Sequence, residues 1–257
     1  MTSGPSAIFA PRSIVLCILA LCLAGCATLD TKSSETAVAD VKKSGSSLTP
    51  EPSPQEDRFV ASTRESVVES AQTLLGRKPD ERVVVRGREF MLDCIGTVSA
   101  TYWGAGYDLQ RDFSKYPGNG VLRLHSSLAA WGALHQLRIP KPGDIVFWAN
   151  TYDRNEDGIP YNDGITHAGI VVQVDEDGTT HYLHASVTRG VVISYFNLMH
   201  PDVPKSPEGK IWNSPMYLGS NYGRANNPPH WLSGDLWNAF GDVGKTAEEL
   251  REKGQKS

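Results

Sequence analysis

The chain has 257 residues, 40% of them hydrophobic, and its 25 Lys and Arg against 29 Asp and Glu leave a net charge of −4. That is apolar material enough for a packed core, which excludes a wholly disordered chain. The mild negative charge, with no basic cluster, argues against nucleic acid as a partner.

Arg12 precedes an uncharged apolar run from Ile14 to Leu23. The run is shorter than the roughly 20 residues a membrane span needs, and charge, apolar stretch and small residues in this order are the layout of a secretory signal peptide. It ends in Leu23-Ala24-Gly25-Cys26, which resembles the lipobox of bacterial lipoproteins. The resemblance implies a signal peptide over 1–25, acylation of Cys26 after cleavage, and attachment to a membrane through that lipid. Ala27, where an aspartate would signal inner-membrane retention, implies the periplasmic face of the outer membrane.

The four cysteines are Cys17, Cys22, Cys26 and Cys94. Two leave with the signal peptide and one carries lipid, so Cys94 is left as a single free thiol in an oxidising compartment. Cysteines there usually pair, and a leftover one is a candidate reactive group. Residues 26–56 are rich in Ser, Thr, Pro, Glu and Lys. Such a stretch buries too little surface to offset its ordering entropy and is expected to be a disordered tether. Residues 57–244 are expected to form one domain, with 245–257 as a frayed charged tail. A monomer is expected.

Within the domain, Val67, Val68, Ala71, Leu74 and Leu75 recur at helical spacing over 62–75, and Gly76 is a natural stop. Val83 to Val85 suits a short strand. Residues 93–103 read as a helix with Asp93 at the N-cap, which places Cys94 in its first turn. Leu128, Trp131, Leu134 and Leu137 suggest a helix over 128–137. Beyond Pro140 the period becomes strand-like, with strands expected over 144–148, 168–174, 179–184 and 190–195. Trp231, Leu236, Trp237 and Phe240 suggest a short closing helix. Helices first and an antiparallel meander second make an α+β domain.

A cysteine at a helix N-terminus is expected to have a lowered pKa, because unpaired amides and the helix dipole favour the thiolate. The same amides can stabilise an oxyanion. A base is also needed, and His167 opens the strand His167-Ala168-Gly169-Ile170-Val171-Val172, where Ala168 and Gly169 leave room beside an imidazole. A third group must orient that ring. His181 and His184 lie on opposite faces of the next strand, and spacing alone does not choose between them.

Four blocks together carry a resemblance: Asp93-Cys94; Lys141-Pro142-Gly143-Asp144-Ile145-Val146-Phe147-Trp148; Thr166-His167-Ala168-Gly169-Ile170-Val171; and Leu183-His184-Ala185-Ser186. With the helix over 62–75 ahead of them, they resemble the NlpC-type and CHAP cell-wall cysteine peptidases and amidases. The resemblance implies a papain-like α+β fold and hydrolysis of amide bonds in peptidoglycan by Cys94, His167 and His184, with His184 as the orienting group. Two departures stand out: Ile95 follows the cysteine where the family has serine, and Arg77-Lys78-Pro79 stands where it often has a tyrosine.

Just before His167, Asp153-Arg154-Asn155-Glu156-Asp157-Gly158 has the alternating oxygen ligands and turn glycine of a calcium loop. Gly164 stands where the bidentate glutamate belongs, and Asp163 is the available substitute. The hydrolase chemistry requires no cofactor; a structural calcium held by Asp153, Asn155, Asp157 and Asp163 competes with a plain Asx-rich turn. His125, His135, His200 and His230 lack partners at meaningful spacing. Two other readings keep the fold: a non-catalytic, calcium-stabilised envelope lipoprotein for binding or scaffolding, and a cysteine acyltransferase.

Overall fold

A computed structural model of the chain describes residues 54–159, 161–217 and 230–254. The expected signal peptide, the lipidation site Cys26 and nearly all of the expected tether lie outside them. Among the described residues no helix is long and apolar enough to cross a membrane.

The first helix, α1, spans Pro54–Gln72 and so begins eight residues before the expected start at Ser62, taking in the last residues assigned to the tether. Proline is well placed there, since the first helical N–H has no partner to lose. Thr63, Val67 and Ala71 form its buried row, and Leu74 is buried just past its end. Gly76, with φ +81°, turns the chain after the helix, and its N–H donates to the Val191 carbonyl at 2.9 Å. A hairpin follows, with β1 (Arg82–Val85) paired antiparallel to β2 (Arg88–Met91).

The second helix, α2, spans Cys94–Gly104, as expected, with Asp93 as its N-cap. The Gly96 N–H donates to Asp93 Oδ1 at 2.6 Å. A Cβ at Gly96 would overlap the Met91 carbonyl, so the glycine is what lets β2 run straight into α2. The third helix differs from expectation. It spans Gly120–Ala130 rather than 128–137, starts at an Asn119 side-chain cap, and is closed by Gly132 at φ +64°. The expected second half becomes β3 (Leu134–His135), because those residues gain a strand partner.

The main sheet adds β4 (Ile145–Ala149), β5 (Ile165–Val174), β6 (Thr180–Ser186), β7 (Gly190–Phe196) and β8 (Trp237–Gly241). The order is β3-β8-β4-β5-β6-β7, with every pair antiparallel. The domain is therefore α+β. The expected closing helix around 236–240 is a strand: β8 fills the gap between β3 and β4, and ladder pairing overrides its weak local pattern. Strand alternation divides the core. Ile145, Phe147, Ala168, Ile170 and Leu183 pack with the helices, whereas Val146, Trp148, Val171, Tyr182, Phe196, Leu236 and Phe240 form a second cluster with Leu198 and Met216.

The last helix, α4, spans Val243–Gly254, so most of the expected frayed tail is ordered structure. Val243, Thr246, Ala247 and Leu250 are buried at i, i+3, i+4 and i+7. Arg64 on α1 ties the ends together. Its guanidinium meets Asp144 Oδ1 at 2.7 Å and Asp242 Oδ2 at 3.2 Å, and donates to the Pro142 carbonyl at 2.9 Å. Tyr102 of α2 donates to the Gly143 carbonyl at 2.9 Å, which fixes α2 against the turn that feeds β4.

Candidate functional site

A cleft of about 280 Å³ opens at the start of α2, and Cys94, His167 and His184 all line it. Its remaining wall includes Asp93, Tyr152, Thr166, Arg189 and Met216. Each of the three side chains is delivered by a different element. The N-cap fixes Cys94. β5 carries His167, which pairs in register with Trp148 of β4, and the Trp148 indole packs beside the imidazole with centroids 5.6 Å apart. That indole is itself held by a 2.7 Å hydrogen bond to the Ser233 carbonyl. Gly169 supplies the space expected of it: a Cβ there would crowd the Leu183 carbonyl at 2.9 Å and the His184 Cβ at 3.3 Å.

His167 Nε2 and His184 Nδ1 lie 2.9 Å apart, and the rings meet edge to face at 88°. His181, the alternative left open by spacing, instead pairs with Asp175 Oδ2 at 3.0 Å, away from His167. Beyond His184 lies a contact that the sequence did not suggest. His184 Nε2 is 3.1 Å from Ser194 Oγ on β7, and Arg189 Nη2 donates to the same oxygen at 3.4 Å. Ser194 and His184 share a sheet face as diagonal cross-strand neighbours, since Ser194 pairs with Tyr182. A serine in a short apolar strand carries no sequence signal for this; only the register reveals it.

The hydrogen bonds define a consistent proton inventory. Arg189 can only donate, so Ser194 Oγ accepts from it; in one of the two tautomers open to the histidine pair, Ser194 also accepts from His184 Nε2–H through its second lone pair. His184 Nδ1 then accepts from His167 Nε2–H. This leaves His167 Nδ1 with a free lone pair, the protonation state a general base requires.

Electrostatics correct one expectation. Burial pushes the Cys94 thiol up to about 12 and the neighbouring Asp93 charge adds to it, while the Ile95 and Cys94 amides pull weakly the other way. The helix-terminus effect is present but loses to desolvation. Burial lowers His167 to about 4. His184 is also driven well down by burial, then by His167 and the Arg189 charge. The resting site is thus a neutral thiol beside neutral imidazoles, not a thiolate–imidazolium pair.

The two departures from the family pattern also find places. Ile95 packs into the helical side of the core, and its side chain lies against Gly120 at the start of α3. Pro79 and Asp80 line the cleft near where a tyrosine was expected, and Tyr152 lines it too. The Tyr152 phenol is shifted upward by burial and then by the charge of Cys94, and both residues line the cleft.

The loop 153–164 connects β4 to β5 beside the cleft. Asp163 Oδ1 accepts from the Arg154 and Asn155 amides at 2.7 and 3.1 Å, and Asp153 Oδ2 accepts from the Gly158 amide at 2.9 Å. Asn155 Oδ1 accepts from the Asp157 amide, and Asp157 from the Ile159 amide and the Asn155 and Asn162 side chains. A separate trio, His135, Asp144 and Asp242, is the one group of three His, Cys, Asp or Glu ligand atoms converging within 4.8 Å among the described residues. Arg64 already bridges both of its carboxylates and supplies the positive charge there. Comparison with protein-family models, curated proteins and solved structures finds no match for the chain.

Proposed function

We propose that the chain is a cysteine-dependent hydrolase of amide or peptide bonds in peptidoglycan, with a papain-like arrangement of helices on an antiparallel sheet and a lipid on Cys26 holding it to the periplasmic face of the outer membrane. The observation that carries this reading is the shared cleft: a thiol in the first turn of a helix and a histidine whose Nε2 is committed to a second histidine.

Because the thiol holds its proton, attack is coupled to proton transfer. As Cys94 Sγ bonds the scissile carbonyl carbon, its proton passes to His167 Nδ1. The imidazolium so formed is held by His184 Nδ1, which accepts its Nε2–H. The amides at the start of α2 and the Tyr152 hydroxyl stabilise the carbonyl oxygen as it gains charge. His167 then protonates the leaving amine, the C–N bond breaks, and water hydrolyses the thioester with His167 again as base. Burial, then His167 and the Arg189 charge, keep His184 neutral, and Ser194 orients it.

A second reading has one observation in its favour. A thiol held near 12 suits an inert cysteine, as in a non-catalytic envelope protein that uses the same cleft for binding. Digestion of purified peptidoglycan, with fragment masses read out, separates the two. The hydrolase releases peptide-bearing fragments and Cys94→Ala releases none. Equal release by both proteins, or none by the wild type, overturns the proposal. The masses also name the bond cut.

A further inference from the structure

We infer that the loop between β4 and β5 is a calcium site, with Asp153 and Asp163 as its anionic anchors. The sequence pattern is weak alone, because the twelfth position lacks its glutamate. The structure adds an independent observation: two carboxylate oxygens, Asp153 Oδ1 and Asp163 Oδ2, are buried and have no hydrogen-bond partner. Asp163 is only 1% exposed. A buried charged oxygen without a partner costs several kcal/mol unless a cation meets it.

The loop's own bonds take up one oxygen of each carboxylate and leave the other without a partner. The Arg154 and Asn155 amides hold Asp163 by Oδ1, which sets its carboxylate beneath the 153–157 arc and leaves Oδ2 over. The Gly158 amide holds Asp153 by Oδ2 and leaves Oδ1 over. Gly158, at φ +74°, supplies the turn that brings its amide back to Asp153. Asn155 Oδ1 carries one amide and keeps a lone pair for a hard cation. Asp153, Glu156, Asp157 and Asp163 face only Arg154 as a fixed cation within the loop. The all-oxygen donor set selects calcium over the smaller magnesium, which demands tighter octahedral geometry. The loop acids do not converge as closely as the His135 trio does, so binding contracts the loop.

The position gives the ion a consequence. Thr151 and Tyr152 enter the loop and Thr166 and His167 leave it, and all four line the cleft. The neck is already closed: Thr166 Oγ1 accepts from the Thr151 amide at 2.8 Å, and Asn150 Oδ1 accepts from the Asp163 and Gly164 amides. Calcium would lock the arc beyond this neck and hold Tyr152 and His167 in place.

The test needs no wall substrate and is independent of Cys94 chemistry. Full-length protein stripped with chelator is titrated calorimetrically with CaCl₂ and with MgCl₂, and its melting is followed at each concentration. Calcium is expected to bind with a Kd of about 10⁻⁴–10⁻³ M, the range of extracellular sites. A hundredfold excess should raise Tm by about 5–10 °C. Asp153→Asn and Asp163→Asn should each weaken binding at least about tenfold, since each removes a ligand charge. Asp153 is the more exposed of the two, so its variant reports even if Asp163→Asn folds poorly. No heat and no Tm shift with calcium up to about 10 mM would overturn the site. So would an unchanged calcium affinity in Asp153→Asn, or magnesium binding as tightly as calcium.

Discussion

Cys94 illustrates how two opposing effects at one atom are decided by magnitude. Amides at the start of α2 favour a thiolate, but burial and Asp93 outweigh them and the thiol rises to about 12. Alkylation by iodoacetamide should therefore be slow at pH 7, below that of a free thiol, and should climb steadily with pH past 10. An inflection between pH 5 and 7 in the rate profile would mean a resting thiolate instead. His184 acts on His167 through one 2.9 Å contact, so His184→Ala should lower kcat about 10–100-fold with little change in KM. Steady-state rates on soluble wall peptides would check this. Cys94 was legible because it sits at a recognisable helix start, and His167 because it lies in a strand pattern with small residues beside it. It left His184 and His181 level, since alternation separates faces without saying which face meets the cleft. Ser194 and Arg189 were illegible, because only strand register brings them to His184.

At the scale of elements, the units with strong local signals are those the sequence foretold. The Asp93 cap and the strands β4 to β7 depend on nearby residues. Among the misread elements, β3 and β8 depended on partners distant in sequence, whereas α3 was set by a local cap. β8 is a strand because β3 and β4 flank it, and α3 begins eight residues early because Asn119, not Leu128, caps it. The fourth helix was the avoidable miss: Val243, Thr246, Ala247 and Leu250 form a helical row that the surrounding Lys and Glu obscured. Leu250→Ala should destabilise the domain by about 2–3 kcal/mol in urea unfolding, whereas a truly frayed tail would show no change. Gly96→Ala should cost about 1–3 kcal/mol, because its Cβ meets the Met91 carbonyl of the incoming chain.

Across the whole molecule, the buried ionisable groups set a pH window. His167 and His184 have lowered pKa values, so the unfolded chain binds protons that the folded one refuses. Their contribution is fully present above about pH 6.5 and is lost as pH falls toward 4. Cys94, Tyr102 and Tyr182 are raised by burial, so stability declines again as pH climbs above about 9. Melting temperature should plateau between these limits, and His184→Asn should flatten the acid limb. Asp144 adds to the acid limb: burial would raise it, but His135 and the Arg64 charge prevail and hold it low. Its contribution fades only as pH falls below about 4. The α+β class was legible from the order of elements, while the two-sided core and the closure by α1, α4 and Arg64 were not, because both ends of the chain meet there only after folding.

The central claim is that Cys94, His167 and His184 work as one unit on a wall amide. Release of peptidoglycan fragments by Cys94→Ala, His167→Ala, His184→Ala and the double histidine variant tests it most directly. Residues that act as a unit are non-additive. The account predicts background release from Cys94→Ala, and a double histidine variant no slower than His167→Ala alone. Undiminished release from Cys94→Ala, or a double variant slowed by the product of the two single effects, would contradict it.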